Sequence, residues 1–312
     1  MKKLFVMTLA VAALASCSKV ETIEPGHKSA IGFGNAFIDN ATKAGELKTN
    51  NILDFAVWGT ENGKPIFDGT TVVSRADKDS DWGYTGTRYW HTNSTYQFAA
   101  IAPFAHGLTN IALTNELPTT ATYTLVDGGI DSQIDLLYDK ANDVPVTTDL
   151  PTTPVAFTFE HMLAKVEFMF HNSHAPGSDY TVKISELKIA AYKSATVTFA
   201  NKSWSIPTND NDLDLTFPIN GGNALDEGNV RNSEPSLIIP AAADTYTITG
   251  KAEIIFNGNT VKTINFNQKL PALEAGKYYL IHAEITSDAP IVFSATVNDS
   301  WTSVGPNPLT QN

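Results

Sequence analysis

Apolar and polar residues alternate with a period of two through most of the chain. The alternation is clear in 278–285, and in 248–256 and 261–266, which flank Asn257-Gly258. Such alternation is typical of half-buried β-strands, and Asn-Gly between two strands predicts a hairpin. No segment carries a long apolar stripe with the 3.6-residue period of a helix. The chain is therefore predicted to be all-β, built as two tandem antiparallel β-sandwich domains.

A segment rich in proline and threonine divides the sequence. Residues 144–154 contain three prolines and four threonines, a composition typical of a linker. We predict an N-terminal domain over 31–150 and a C-terminal domain over 155–312. Within the latter, Met162–Phe170 fits a short helix or a strand, and its β-branched and aromatic end favours the strand. Apolar pairs farther along predict three short strands, namely Val182 with Ile184, Leu187 with Ile189, and Val197 with Phe199.

The N-terminus has the pattern of an export signal. A basic start precedes an apolar run over 4–14, which is shorter than the ~20 residues of a membrane span. The Leu-Ala-Ser-Cys sequence that ends at Cys17 resembles the lipobox of bacterial lipoproteins. It implies a signal peptide over 1–16, cleavage between Ser16 and Cys17, and acyl chains such as palmitate on Cys17. Residues 17–30 would form a polar tether. The alternative is an ordinary signal peptide with a chance cysteine.

Charge and cysteine content exclude several classes of function. The 312-residue chain has a net charge of −12, and once Lys2 and Lys3 of the signal are removed, 19 basic residues face 33 acidic ones. Nucleic-acid binding needs a basic face, so we set it aside. Cys17 is the only cysteine, which excludes an internal disulfide and a cysteine-based zinc site.

The sequence contains no motif for catalysis or for a cofactor. It has neither a phosphate-binding glycine loop nor a GxSxG nucleophile elbow. His171 and His174 lie in a predicted turn, and a metal site there would need a further ligand. Asp210, Asp212 and Asp214 lack the EF-hand spacing, which leaves a solvated acidic loop or a weak calcium site of another type. We therefore predict no catalytic residue, no metal and no cofactor.

Two groups of residues each have a structural and a functional interpretation. Aromatic rings stack on sugars, so Trp82, Tyr84, Tyr89 and Trp90 form a candidate glycan contact. Aromatic pairs in a β-sheet core are the favoured alternative for this cluster. His161 lies in an apolar strand region, and we interpret it as a hydrogen-bonded structural residue rather than a catalytic base.

The order of motifs along the chain resembles the fimbrillin family, the lipoprotein-derived pilins of Bacteroidales-type bacteria. A strand with Ile31 and Phe33, followed by a loop with Lys43 and Ala44, is similar to the family's first strand and its processing loop. The most specific match is the FTFEHMLAKV run, which ends at Val166. The other matching segments are Arg88-Tyr89-Trp90, Tyr96 to Pro103, Leu237 to Pro240, Gly276 to Tyr279, and Trp301.

The resemblance implies two transthyretin-like β-sandwich domains without catalytic activity, exported as an outer-membrane lipoprotein precursor. It also implies that a protease cuts the loop after the first strand. The candidate site here is Lys43–Ala44, where the family usually has Arg-Ala. The displaced strand would carry Ile31, Phe33 and Phe37. A C-terminal strand of a neighbouring subunit would then fill the opened groove by β-strand addition.

The chain's own C-terminus offers two candidate donor segments. Pro306 and Pro308 make the tail 302–312 a poor strand, and Ile291–Val297 is the alternative. We predict a structural or adhesive subunit of a cell-surface fimbria, as stalk, tip or accessory pilin. The predicted partners are other fimbrial subunits, the outer membrane through the precursor's lipid anchor, and a host or bacterial surface receptor. The alternative is a non-polymerising surface lipoprotein that binds glycans.

Overall fold

The computed structural model describes residues 29–38, 52–207, 212–299 and 301, with 35–38 described for the backbone only. These residues form an all-β fold, in which the helical elements are the single 3-10 turns Ile130–Ser132 and Phe199–Asn201. The first ten strands are β1 Phe33–Ile38, β2 Asp54–Glu61, β3 Lys64–Ser74, β4 Ser94–Ala102, β5 Thr109–Thr114, β6 Leu117–Thr124, β7 Leu137–Lys140, β8 Val144–Val146, β9 Val155–His161 and β10 Ala164–Asn172. The others are β11 Tyr180–Ala191, β12 Ser194–Thr198, β13 Ser203–Ser205, β14 Leu213–Thr216, β15 Ala224–Asp226, β16 Val230–Asn232, β17 Ser236–Ile238, β18 Thr247–Phe256, β19 Asn259–Lys269, β20 Tyr278–Ile285 and β21 Val292–Asn298.

The first sheet has the order β1-β9-β7-β4-β2-β3, with β8 paired to β4. Its edge strand β1 runs parallel to β9, and Phe33 is paired with Val155. The register shifts between Gly34 and Phe37, so the alternation predicted for the first strand is interrupted by a bulge. The first sheet thus takes a strand from beyond the proline-rich segment 144–154.

A second sheet, β13-β12-β6-β5, joins strands from both sides of that segment. Residues on one face of the first sheet, including Trp58 and Ile101, pack with Tyr123 of β6 and Val197 of β12. The segment 144–154 therefore does not separate the sheets from one another. The division into domains at 31–150 and 155–312 stays a prediction.

The opposite face of the first sheet packs into a separate core, which we call the first-strand core. It is apolar because alternate residues of β2, β4 and β9 point to this side. Its main members are Ile31, Phe33, Phe55, Val57, Phe67, Trp90, Tyr96, Phe98, Ala100, Phe157 and Phe159.

The remaining strands form two sheets, β16-β10-β20-β21 with β17, and β14-β11-β18-β19 with β15. The strand interpretation of Met162–Phe170 is confirmed, because β10 covers most of it and pairs parallel with β20. The predicted hairpin is also confirmed: β18 pairs antiparallel with β19. Asn257 and Gly258 have φ angles of 47° and 77°, the positive values that a type I′ turn requires.

The prediction of two separate strands over 182–189 is wrong, since both apolar pairs belong to β11. A register shift between Ser185 and Lys188 accommodates an extra residue, and Glu186 there has a φ of 56°. The bulge changes the alternation while the strand continues. Among the described residues, no helix is long and apolar enough to be a membrane span.

Candidate functional site

The segment that leads into β1 is held on two sides. Trp90 N–H donates to Ser29 O at 2.9 Å, and Ile31 N–H donates to Arg88 O at 2.8 Å. On the other side, Val155 N–H donates to Gly32 O at 2.8 Å. The segment therefore lies between the loop before β4 and the start of β9, and its contacts to both are non-covalent.

Ile31 and Phe33 anchor this segment in the first-strand core. Ile31 is 1% exposed and Phe33 is 4% exposed. Burial of each such side chain contributes roughly 1.5–3 kcal/mol. The Phe33 ring meets five other aromatic rings at centroid distances of 5.4–6.2 Å, namely Phe55, Phe67, Tyr84, Phe98 and Phe157.

Loss of the first strand would leave an apolar groove next to an unpaired edge of β9. The groove, which we call the first-strand groove, is lined by the five aromatic rings around Phe33 and by the backbone of β9. Unpaired backbone groups beside an apolar surface are what β-strand addition requires. In the structure this position is filled by the chain's own β1.

Of the four residues of the candidate glycan contact, Trp90 belongs to this core, and Trp82 and Tyr84 pack against it. Trp90 is 2% exposed, and its ring meets Tyr96 edge-on at 4.7 Å. Trp82 is half-buried and lies 5.0 Å from Phe55. Tyr84 is half-buried, and its hydroxyl donates to Ile31 O at 2.7 Å. Burial raises the pKa of this hydroxyl, while a hydrogen bond from the Arg88 backbone opposes the shift.

Tyr89 is the exposed member of the cluster, at 40%. A stacked sugar needs an open ring face, and burial removes that face from Trp90. The geometry thus supports the core interpretation for three residues and leaves Tyr89 at the surface.

Several predicted site residues lie outside the described part of the chain. They are Ser16 and Cys17 of the lipobox, and Lys43 and Ala44 of the processing site. Phe37 is described for its backbone only, which lies opposite Thr158 of β9.

A buried polar cluster links the FTFEHMLAKV run to the last described residue. Nδ1 of His161 is hydrogen-bonded to Oδ1 of Asp135 at 3.0 Å, and the His161 ring stacks on Trp301. Lys165 is fully buried, and its Nζ donates to Trp301 O at 3.2 Å. Lys165 Nζ also lies 4.6 Å from the ring centre of Tyr278.

Strand β10, which carries Lys165, also carries the buried side chain of Glu167 into the core. Glu167 accepts a hydrogen bond from the Tyr278 hydroxyl at 2.7 Å and another from Asn232 Nδ2 at 2.7 Å. Buried polar groups require such partners. The sequence predicted a structural His161 but not this network, because its members are spread along the chain from Asp135 to Trp301.

The two histidines near residue 172 have different hydrogen-bond partners. Nδ1 of His171 contacts Glu284 at 2.8 Å and Ser173 Oγ at 3.0 Å. A relay would need these two groups on opposite ring nitrogens. Nδ1 of His174 contacts Asn172, and burial lowers the pKa of His174. Within the described ranges, no three His, Cys, Asp or Glu side chains come together as a metal site.

The acidic run near residue 212 is divided between separate partners. Asp212 Oδ1 accepts from Lys193 N–H at 2.8 Å, and Asp214 pairs with Lys188 Nζ at 2.6 Å. Asp210 lies outside the described residues. The two described carboxylates are thus engaged with two different groups rather than with each other.

The fold and the groove define a class of protein: an all-β chain in which an edge strand completes an apolar core. A model of the fimbrillin-like family matches residues 40–301. The chain therefore belongs to the fimbrillin-like family, which makes it a fimbrial or adhesive protein of the cell surface. No curated protein sequence matches the chain.

Solved structures share this fold. A fimbrial protein from Bacteroides vulgatus is 18% identical, with a TM-score of 0.65, and the match covers 88% of this chain and 100% of that one. A candidate cell adhesion protein from Bacteroides uniformis is also 18% identical, with a TM-score of 0.55, and the match covers 89% of this chain and 100% of that one. At these identities the likeness concerns the fold.

Proposed function

We propose that this protein is a structural subunit of a surface fimbria, assembled by removal of its first strand. The observation that carries the proposal is the placement of Ile31 and Phe33. These buried side chains belong to an edge strand that precedes the candidate processing site at Lys43–Ala44. Cutting there would separate the strand covalently from the core that it completes.

Assembly would follow in three steps. The chain is exported as a lipoprotein, with Cys17 acylated and held at the outer membrane. A protease then cuts after Lys43, and the first strand leaves the groove. A C-terminal strand of a neighbouring subunit takes its place and restores both the backbone hydrogen bonds and the apolar contacts.

The proposal is tested by whether the full-length chain polymerises at the surface of a bacterium that assembles fimbriae. Material sheared from cells is separated with and without heating and detected with an antibody. We expect a high-mass ladder that collapses to one band on heating. Lys43→Ala should leave only the uncut chain, whereas the matched control Lys48→Ala should polymerise normally. A wild-type chain that stays monomeric at the surface would support the static, glycan-binding lipoprotein instead.

A further inference from the structure

A cleft of about 470 Å³ lies beside β13, the edge strand of the second sheet. One wall is the segment 201–204, and the other is formed by residues of the turns 240–242 and 273–277. Sites for small molecules usually have about 300–1,000 Å³ and often lie between packed units. The cleft therefore has the size of a ligand site. None of its lining residues belongs to the first-strand core.

The space in the cleft exists because one wall consists largely of alanine. Ala241, Ala242 and Ala275 line it, and their side chains end at Cβ. Ala241 N–H donates to Leu273 O at 3.0 Å, and Leu273 N–H donates to Ala241 O at 2.8 Å. These two bonds fix the backbone of the wall. A larger side chain at the exposed Ala242 would take up part of the cleft without entering a packed core.

Trp204 gives the opposite wall a fixed apolar surface. The residue is half-buried, and its indole N–H donates to Met162 O at 2.9 Å. Its ring also meets Tyr123 at a centroid distance of 6.0 Å and an angle of 80°. Because the only hydrogen-bonding group of the ring is already used, the part that lines the cleft is purely apolar. Such a surface suits the C–H face of a sugar ring.

Two polar side chains beside Trp204 are suited to hydroxyl groups. Asn201 Oδ1 accepts hydrogen bonds from Ser203 N–H at 3.2 Å and from Ser203 Oγ at 2.7 Å. This arrangement orients the amide and leaves Asn201 Nδ2 without a partner among the described residues. Glu274 is exposed on the other wall. An amide donor and a carboxylate acceptor match sugar hydroxyls, which both accept and donate hydrogen bonds.

The charges around the cleft favour a neutral ligand. Lys202 Nζ pairs with Glu160 at 2.6 Å, and Lys277 Nζ pairs with Asp299 at 2.5 Å. With Glu274, three carboxylates therefore surround two ammonium groups. An anionic ligand would have to compete with both ion pairs and would be repelled by Glu274. A polyhydroxylated ligand without charge avoids both costs.

We propose that this cleft binds a neutral carbohydrate. One sugar ring lies on Trp204, and its hydroxyls are hydrogen-bonded by Asn201 Nδ2 and the Glu274 carboxylate. The site is separate from the aromatic cluster around Trp90, whose ring is buried in the first-strand core. This inference goes beyond the proposed function, because the cleft is complete in the uncut chain and requires no polymerisation.

An array of immobilised oligosaccharides tests the class of ligand. The full-length chain, extracted in detergent, is applied to neutral oligosaccharides of hexose and N-acetylhexosamine, to their sialylated or uronic acid counterparts, and to unrelated peptides. We expect binding to neutral members of the array and weaker binding to the acidic counterparts. A chain that binds only acidic glycans, only peptides or no member of the array would overturn the proposal.

Variants of the full-length chain then locate the site, with the affinity measured by titration of the neutral oligosaccharide that binds best on the array. Ala242→Phe should weaken binding at least about tenfold, because the new ring occupies the cleft. Ala243→Phe is the matched control, since Ala243 is also exposed but does not line the cleft. Asn201→Asp keeps the acceptor for Ser203 and removes only the amide donor, so it should weaken binding about tenfold.

Two outcomes would move the site elsewhere. If Ala242→Phe bound as tightly as the wild type, the cleft would not be the site. If Tyr89→Ala lost binding while Ala242→Phe kept it, the sugar would lie at the aromatic cluster instead. Melting curves followed by circular dichroism confirm that each variant is folded, so that a loss of affinity reports on the cleft.

The cleft and the proposed assembly can fail independently. Lys43→Ala, which should block polymerisation, should bind the neutral oligosaccharide as tightly as the wild type. A wild-type chain that binds the sugar but forms no high-mass ladder would contradict the assembly and support the cleft. A chain that polymerises normally and binds no neutral sugar would overturn the cleft and leave the assembly standing.

Discussion

Trp301 lies flat on His161, with ring centroids 3.8 Å apart and planes 18° apart. Lys165, four residues after His161, donates to the carbonyl of Trp301. The last described residue is therefore fixed in the core by two residues of β9 and β10. Because β21 ends at Asn298, this contact also restrains the C-terminal end of that strand.

Trp301→Ala should destabilise the full chain by about 3–5 kcal/mol, the usual cost of truncating a buried aromatic residue. The free energy of unfolding from denaturant titration measures the effect. Val297→Ala is the matched control, because Val297 precedes Trp301 by four residues in the sequence and is 50% exposed. It should change stability by less than about 0.5 kcal/mol. If Trp301→Ala lowered the free energy of unfolding by less than about 1 kcal/mol, the stack of Trp301 on His161 would contribute little to stability.

Phe33→Ala should weaken the first-strand core by a similar amount, about 3–5 kcal/mol, through lost burial and the cavity left among five rings. It should also make the strand easier to displace, so limited proteolysis of the segment before β2 should become faster. Val72→Ala, at an exposed position of β3, serves as the control. Unchanged stability and proteolysis in Phe33→Ala would mean that the strand is not held by this pocket.

The buried tyrosines predict a loss of stability at alkaline pH. Burial raises the pKa of Tyr138 to about 12, and it raises the pKa values of Tyr123 and Tyr246 further. Tyrosine in the unfolded chain has a pKa of about 10. Below that pH the buried tyrosines contribute their full stabilisation of the folded chain, and the contribution declines as the pH rises, because the unfolded chain ionises first. Tyrosinate absorbance at about pH 11 should show these residues un-ionised in the folded chain and ionised in denaturant. Full ionisation without unfolding would contradict their burial.

The lipobox predicts acylation at one residue. Cys17→Ser should abolish incorporation of a radiolabelled fatty acid and leave the chain with an uncut signal peptide. Ser18→Ala is the matched control and should be labelled normally. Labelling that persists in Cys17→Ser would place the acyl chains elsewhere and remove the basis for the anchor.

The all-β fold and most strands could be predicted from the sequence, because alternation reports directly which residues face a core. Which strands pair with each other could not be predicted from the sequence. Nothing local in Phe33 and Val155 indicates that β1 pairs parallel with β9, since that pairing depends on how the whole chain folds. The β11 bulge was missed for a related reason: a break in alternation at Glu186 is indistinguishable in sequence from the end of a strand.

The candidate site was predictable in part. Ile31 and Phe33 are buried as the pattern indicates, and their role as a core-completing strand fits the family resemblance. The aromatic cluster left two interpretations open, because sequence gives the rings but not their exposure. The stack of Trp301 on His161 joins residues 140 positions apart in sequence, and only the folded chain brings them together.

The mature N-terminus of the surface form tests the central claim most directly. Protein sheared from intact cells is analysed by mass spectrometry of its intact mass and N-terminal peptide. The account predicts a chain that starts at Ala44, without residues 17–43 and therefore without Ile31 and Phe33. A surface chain that starts only at acylated Cys17 would contradict it, because the first strand would still fill its own groove.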